Sequence, residues 1–206
     1  TRTNKTEYIA TMHEQAAGFA AEGYAKIKGL PGVAIATSGP GGMNLVTPIG
    51  NCFYDSVPAI FITGQINSEF LKQDQSLRQV GFQEADIVAI VSPITKYAKL
   101  ITKPEDIKYE LEKALFIATD GRPGPILLDI PMNLQKAEID PDKLVGFQSE
   151  INRSIYDIAI VYTQIDQFLK DLKKTKRPVM LIGGGVGIAK ATELLQKVGK
   201  ILKIPI

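Results

Sequence analysis

Short unbroken apolar runs alternate with longer stretches of helical period along most of this chain. Tyr8–Met12 predicts a strand, and Glu14–Lys28 a helix rich in alanine and glycine. Gly29-Leu30-Pro31-Gly32 reads as a turn, because Gly and Pro both interrupt regular structure. Val33–Thr37 predicts a second strand, Met43–Ser56 a helix and Ala59–Thr63 a third strand. Asp86–Ile90 predicts a short helical segment and Thr95–Leu100 an extended one. Lys103-Pro104-Glu105 opens a helix through Ile117, with the proline where its missing N–H costs nothing. After the turn Gly121-Arg122-Pro123-Gly124-Pro125, Ile126–Ile130 predicts a strand. Continuous apolar strands joined by helices predict an α/β fold, a doubly wound and mostly parallel sheet with helices on both faces.

The pattern changes after residue 134. Residues 135–154 are polar, hold Pro141 and Gly146 and show no period, which predicts a linker between a domain over residues 1–134 and a second over 155–206. The second domain starts with an amphipathic helix, Ile155–Leu172, with Ile158, Val161, Ile165, Phe168 and Leu172 on one face. Pro178–Ile182 then predicts a strand, Gly183–Gly187 a glycine-rich turn, and the following residues a helix to about Leu202. Ile204–Ile206 reads as the start of a further strand, so this unit is expected to be an incomplete Rossmann-like domain. A doubly wound domain usually begins with another strand and helix ahead of the first one seen here, so the first domain is expected to be incomplete too.

Composition narrows the function classes. A net charge of +2 with interspersed signs gives no footprint for nucleic acid. No apolar run approaches the roughly 20 residues that span a bilayer. The single Cys52 rules out an intramolecular disulfide framework. These features lead us to expect a cytoplasmic protein with neither nucleic-acid nor membrane partners. Cys52 reads as a small helix hydrophobe, and His13 as a core or seam residue.

Two features could carry chemistry. Glu14 lies where the first predicted strand reaches the carboxyl edge of the sheet, the edge at which open α/β sheets bind ligands. Elsewhere a Glu there would merely complement the helix dipole. Here the helix behind it (Ala16, Ala17, Gly18, Ala20, Ala21, Gly23) allows a close, intersubunit-type contact. A carboxylate in such an apolar seam would have a raised pKa, as proton transfer near neutral pH requires. The second feature is the loop Thr37-Ser38-Gly39-Pro40-Gly41-Gly42-Met43-Asn44. Its glycines let a ligand approach the backbone, but it lacks the Lys-Ser/Thr of a phosphate-binding P-loop, so a flat ring suits it as well as a phosphate.

These stretches, with Asp55-Ser56-Val57-Pro58, Ile62-Thr63-Gly64-Gln65, Gly81-Phe82-Gln83-Glu84, Ile94-Thr95-Lys96, Gly121–Pro125 and Asp129-Ile130-Pro131, closely resemble the acetolactate synthases. These are thiamine-diphosphate enzymes of the pyruvate decarboxylase and oxidase superfamily. The resemblance runs from about Tyr8 to Leu134 and implies a pyrimidine-binding domain. It implies that Glu14 hydrogen-bonds N1′ of the cofactor's aminopyrimidine, promoting deprotonation of C2 of the thiazolium. It further implies that Thr37, Gly39, Pro40, Asn44 and Gln83 line the cofactor pocket, and that Phe82 and Gln83 lie near the substrate. The implied enzyme decarboxylates a 2-keto acid such as pyruvate and ligates the two-carbon unit to a second keto acid. It works as a homodimer or tetramer assembled through this domain.

Several departures qualify the resemblance. The segment between Gln65 and Phe82 is longer than in the biosynthetic enzymes, and Met132 stands where their pattern has a lysine. The Gly-Asp-Gly and Asn that hold Mg²⁺ in this family are not found, so that site is expected on a domain outside this chain. The chain is therefore expected to be a fragment that is inactive by itself. The Gly183–Gly187 turn suits FAD, which the family's middle domain binds, but such a turn serves packing in flavin-free relatives. Other thiamine-diphosphate decarboxylases, oxidases or C–C hydrolases, and a non-catalytic nucleotide-binding or dimerisation module, are the alternative readings.

Overall fold

A computed structural model describes residues 7–74, 76–148 and 157–205. The chain divides into two compact units, residues 1–150 and 151–206. The first is built on a parallel sheet of β1 (Gly32–Ala36), β2 (Ala59–Gln65), β3 (Tyr97–Leu100) and β4 (Pro125–Pro131), in the order β1-β2-β4-β3. The central strands β2 and β4 are buried at almost every position, as expected for strands covered on both faces. One face packs Ala34, Leu45, Ile49, Phe61 and Leu127. The other packs Ile60, Ile101, Ala114, Ile126 and Leu128. Each large side chain so buried contributes about 1.5–3 kcal/mol.

Helix α1 (Glu14–Lys28) begins at His13, whose Nδ1 accepts a hydrogen bond from the Gln15 N–H at 3.1 Å. It ends at Gly29 (φ 67°), whose N–H donates to the Ala25 carbonyl. His13 is thus an exposed cap in this chain, not a core residue. α1 lies directly on β1 and on the helix that follows it. A Cβ on Gly32 would lie 1.9 Å from the Ala21 carbonyl oxygen, and one on Gly18 would lie 2.4 Å from Pro48 Cγ.

The helix expected over Met43–Ser56 is broken in two, α2 (Pro40–Asn44) and α3 (Val46–Tyr54). The break has a local cause: Pro48 has no N–H to offer the Asn44 carbonyl one turn back. Residues 8–12 form no strand. Tyr8, Ile9 and Met12 are exposed, and among the described residues the run pairs with no strand of the sheet. α4 (Ile87–Val91) and α5 (Ile107–Thr119) follow the expected pattern. Past α6 (Met132–Gln135), the stretch expected as a linker returns to α5. There the Phe147 ring meets those of Tyr109 and Phe116, and its N–H donates to Glu112 at 2.7 Å.

The second unit contains α7 (Ile158–Lys174), α8 (Gly185–Ile188) and α9 (Thr192–Leu202), none with a buried residue. Pro178–Ile182 is not a strand, nor are the described residues of Ile204–Ile206. One backbone bond, Met180 N–H to the Pro205 carbonyl at 2.9 Å, joins the two segments. A single bond between two short segments falls short of the ladder that makes a stable sheet.

Candidate functional site

The carboxyl edge of the sheet gathers three pieces of chain. α1 runs antiparallel to β1, so Glu14 at its start stands beside the loop that leaves β1. The Asn44 Nδ2 donates to Glu14 Oε2 at 2.9 Å. Between them lies Gly41: a Cβ there would be 2.8 Å from Thr37 Cγ2 and 3.6 Å from Glu14 Oε1. Thr37 and Glu14 thus close in on Gly41, where a side chain would collide with Thr37. Asn44 holds one carboxylate oxygen and leaves the other free beside Gly41. The hydrogen bond from Asn44 is the main reason the Glu14 carboxyl is held below the ordinary glutamate range.

This corrects the expectation of a raised pKa. In this chain Glu14 is half-buried and has a donor at hydrogen-bond distance. At neutral pH it is an anion, able to accept a proton or hydrogen bond but not to give one.

The second piece is the turn at Phe82-Gln83. Gln83 adopts φ 63°, the left-handed region, and a Cβ on Gly39 would lie 2.6 Å from its carbonyl oxygen. Gly39 itself has φ 57°, so both its conformation and its neighbour require glycine. Glu84 ties the turn down by accepting from the N–H groups of Val80 (2.6 Å), Lys72 (2.7 Å) and Gly81 (3.3 Å). Phe82 is 82% exposed and Pro40 is exposed at the start of α2. The structure therefore brings together Glu14, Thr37 and Asn44, and separately Gly39 and Gln83, with Phe82 on the surface beside them.

Beneath the site is a buried polar group that sequence reasoning passed over. Asp129 of β4 lies opposite Thr63 of β2. Its carboxylate accepts from Thr63 Oγ1 at 2.6 Å and from Gln65 Nε2 at 2.9 Å. The other hydrogen of the same amide goes to the Ala85 carbonyl at 2.8 Å. Burial pushes the Asp129 carboxyl up to about 6, against the pull of the Thr63 and Gln65 hydrogen bonds; nearby Asp86 adds to the rise. The signal was present in the sequence: three polar residues interrupt two otherwise apolar central strands. Cys52 is fully buried, and burial raises its thiol to about 12, so its reading as a packing residue holds.

Residues 1–90 match the family described as thiamine pyrophosphate enzyme, N-terminal TPP binding domain. Every candidate residue from Glu14 to Gln83 lies inside the matched stretch. The chain is 43% identical to the acetolactate synthase large subunit of Corynebacterium glutamicum, over 99% of this chain and 31% of that protein. It is 40% identical to the probable acetolactate synthase large subunit of Methanocaldococcus jannaschii, over 97% of this chain and 33% of that protein. It is 38% identical to the chloroplastic acetolactate synthase of Arabidopsis thaliana, over 90% of this chain and 27% of that protein. The chain thus spans about a third of the length of the curated relatives it matches.

This domain's own geometry fits the ring of such a cofactor. Asn44 holds one oxygen of the Glu14 carboxylate, and the other is free to accept from a ring N–H donor. Among the described residues no group of three or more His, Cys, Asp or Glu could hold a metal ion, and no helix is long and apolar enough to cross a membrane.

Proposed function

We propose that this chain supplies the pyrimidine half of a thiamine-diphosphate site in an enzyme that decarboxylates a 2-keto acid such as pyruvate and ligates the product to a second keto acid. The observation that carries this reading is the Glu14–Asn44 pair, with one Glu14 oxygen left free beside Gly41 and with Gly39 against Gln83. When bound, the cofactor supplies the means to hold the electrons released on decarboxylation. The chain's residues do the rest. Glu14 accepts a hydrogen bond from the aminopyrimidine ring, and Asn44 keeps Glu14 ionised and oriented. Thr37, Gly39, Pro40 and Gly41 shape the wall. Phe82 and Gln83 border the space for the keto acid.

The diphosphate and its Mg²⁺ are assigned to a domain outside this chain. The outward face of α1, with Phe19, Tyr24 and Ile27 exposed, is assigned to a homodimer or tetramer contact. FAD is proposed for the unit that contains Gly183–Gly187, where a Cβ on any of the four glycines would meet nothing within 4 Å. The absorption spectrum of the purified protein tests for flavin. We place the enzyme in the cytoplasm, in keeping with the one buried thiol of this chain.

The function is tested by measuring carbon dioxide and acetolactate formed from pyruvate by the intact protein containing this sequence, with thiamine diphosphate and Mg²⁺. Acetolactate that disappears in Glu14→Gln supports the proposal. Carbon dioxide without acetolactate would transfer the chain to a decarboxylase or oxidase. Acetolactate formed equally well by Glu14→Gln would remove Glu14 from the chemistry.

A further inference from the structure

We propose that Asp129 and Gln65 are positioning residues for the turn that carries Phe82 and Gln83: a polar relay from the middle of the sheet sets where that turn stands against the Gly39 loop. Its link to substrate rests on the function proposed above; the geometric part stands independently.

The relay is specific in its chemistry. The Gln65 amide has two hydrogens and uses both, one on Asp129 Oδ2 and one on the Ala85 carbonyl. Its oxygen accepts from the Ile66 N–H at 2.9 Å. Flipping the amide would set its oxygen against a carboxylate and a carbonyl, both acceptors, so the orientation is fixed. Asp129 therefore decides which way Gln65 points, and Gln65 decides where the Ala85 carbonyl is held.

Ala85 is two residues from Gln83, whose left-handed backbone abuts Gly39. Thr63, the other partner of Asp129, also touches the site: a Cβ on Gly42 would lie 3.4 Å from Thr63 Cγ2. One buried carboxylate is thus joined to the floor beneath the cofactor loop and to the anchor of the substrate turn. An apolar residue at 129 would pack between these strands as well as its neighbours do. The polar group lies where the cofactor loop and the substrate turn both meet the sheet.

Amide hydrogen exchange of the intact protein, without cofactor, tests the relay in Gln65→Met and Asp129→Asn. Gln65→Met keeps the side-chain volume and leaves the Thr63–Asp129 bond in place, so it serves if Asp129→Asn fails to fold. The expected result is exchange at least ~10-fold faster over residues 80–86, with β2 and β4 unchanged within about 3-fold. Equal acceleration in the strands and the turn, or none in the turn, would overturn the proposal. In the same variants kcat/KM for pyruvate should fall about 10-fold, while the Kd for thiamine diphosphate moves less than about 3-fold. A fall carried wholly by the cofactor Kd would overturn the link to substrate. If the wild-type protein turns over no keto acid, the functional reading fails while the exchange result still decides the relay.

Discussion

Two glycines of α1 allow the packing of the site to be tested without touching it. Gly18 faces inward, where an added Cβ would lie 2.4 Å from Pro48 Cγ, 2.6 Å from Pro48 Cβ and 3.4 Å from Phe61 Cε1. Gly23 faces outward, with nothing within 4 Å of the same position. In an exposed helix interior Gly→Ala stabilises by about 1 kcal/mol, because the chain loses less backbone freedom on folding. Gly23→Ala should therefore gain about 0.5–1 kcal/mol. Gly18→Ala receives the same propensity gain but must restore an ordinary ~3.5 Å contact, which displaces α1 by about 1 Å from a buried proline ring. Overpacking of this kind costs about 2 kcal/mol (range 1–3), so it outweighs the propensity and leaves a net loss of about 1 kcal/mol. The two variants should differ by about 2 kcal/mol in urea denaturation followed by circular dichroism. Glu14 lies one turn ahead of Gly18, so the same displacement should stretch the Glu14–Asn44 hydrogen bond and weaken cofactor binding in Gly18→Ala alone. Equal stabilisation in both variants would refute the seating of α1 on Pro48 and Phe61.

Asp129 predicts a pH dependence of known sign. Its folded-state carboxyl is raised to about 6 from an ordinary 3.8, so between those values the folded state binds more protons than the unfolded one. This contribution to stability is complete below the lower value and is lost as pH rises through the upper one. Relative to Asp129→Asn, the wild type should gain about 1.3 kcal/mol between pH 7 and pH 5, measured by denaturation of both proteins; a difference independent of pH would contradict the burial of an ionisable group there. Asn44→Ala removes the chief hydrogen bond holding the Glu14 carboxyl down, so that carboxyl should titrate higher, as read by NMR of the side-chain carbon. An unchanged titration would show that Asn44 does not act on Glu14.

Sequence reasoning reached the parallel sheet because β2 and β4 are buried on both faces and therefore read as continuous apolar runs. It singled out Glu14 from a strand expected ahead of it that does not form, and Thr37 and Asn44 from the resemblance of their glycine-rich loop. It failed where an element depends on a neighbour. Tyr8–Met12 has the composition of a strand, but a strand is defined by its ladder, and these residues pair with none of the described strands. The same holds for Pro178–Ile182. The Glu14 pKa was misjudged because its sign depends on the Asn44 amide, a residue thirty positions away that no local pattern connects to it. Asp129 and Gln65 were passed over for a related reason: their significance lies in a cross-strand register, and register is not written in either strand alone.

The central claim is that the Glu14 carboxylate acts on a thiamine ring. The most direct measurement is the rate at which C2 of bound thiamine diphosphate exchanges its hydrogen with solvent deuterium, in the intact protein and in Glu14→Gln. The account predicts a rate at least ~100-fold slower in the variant, the usual range for loss of a positioned proton-transfer partner, with cofactor bound in both proteins. Equal exchange rates with the cofactor demonstrably bound would contradict it.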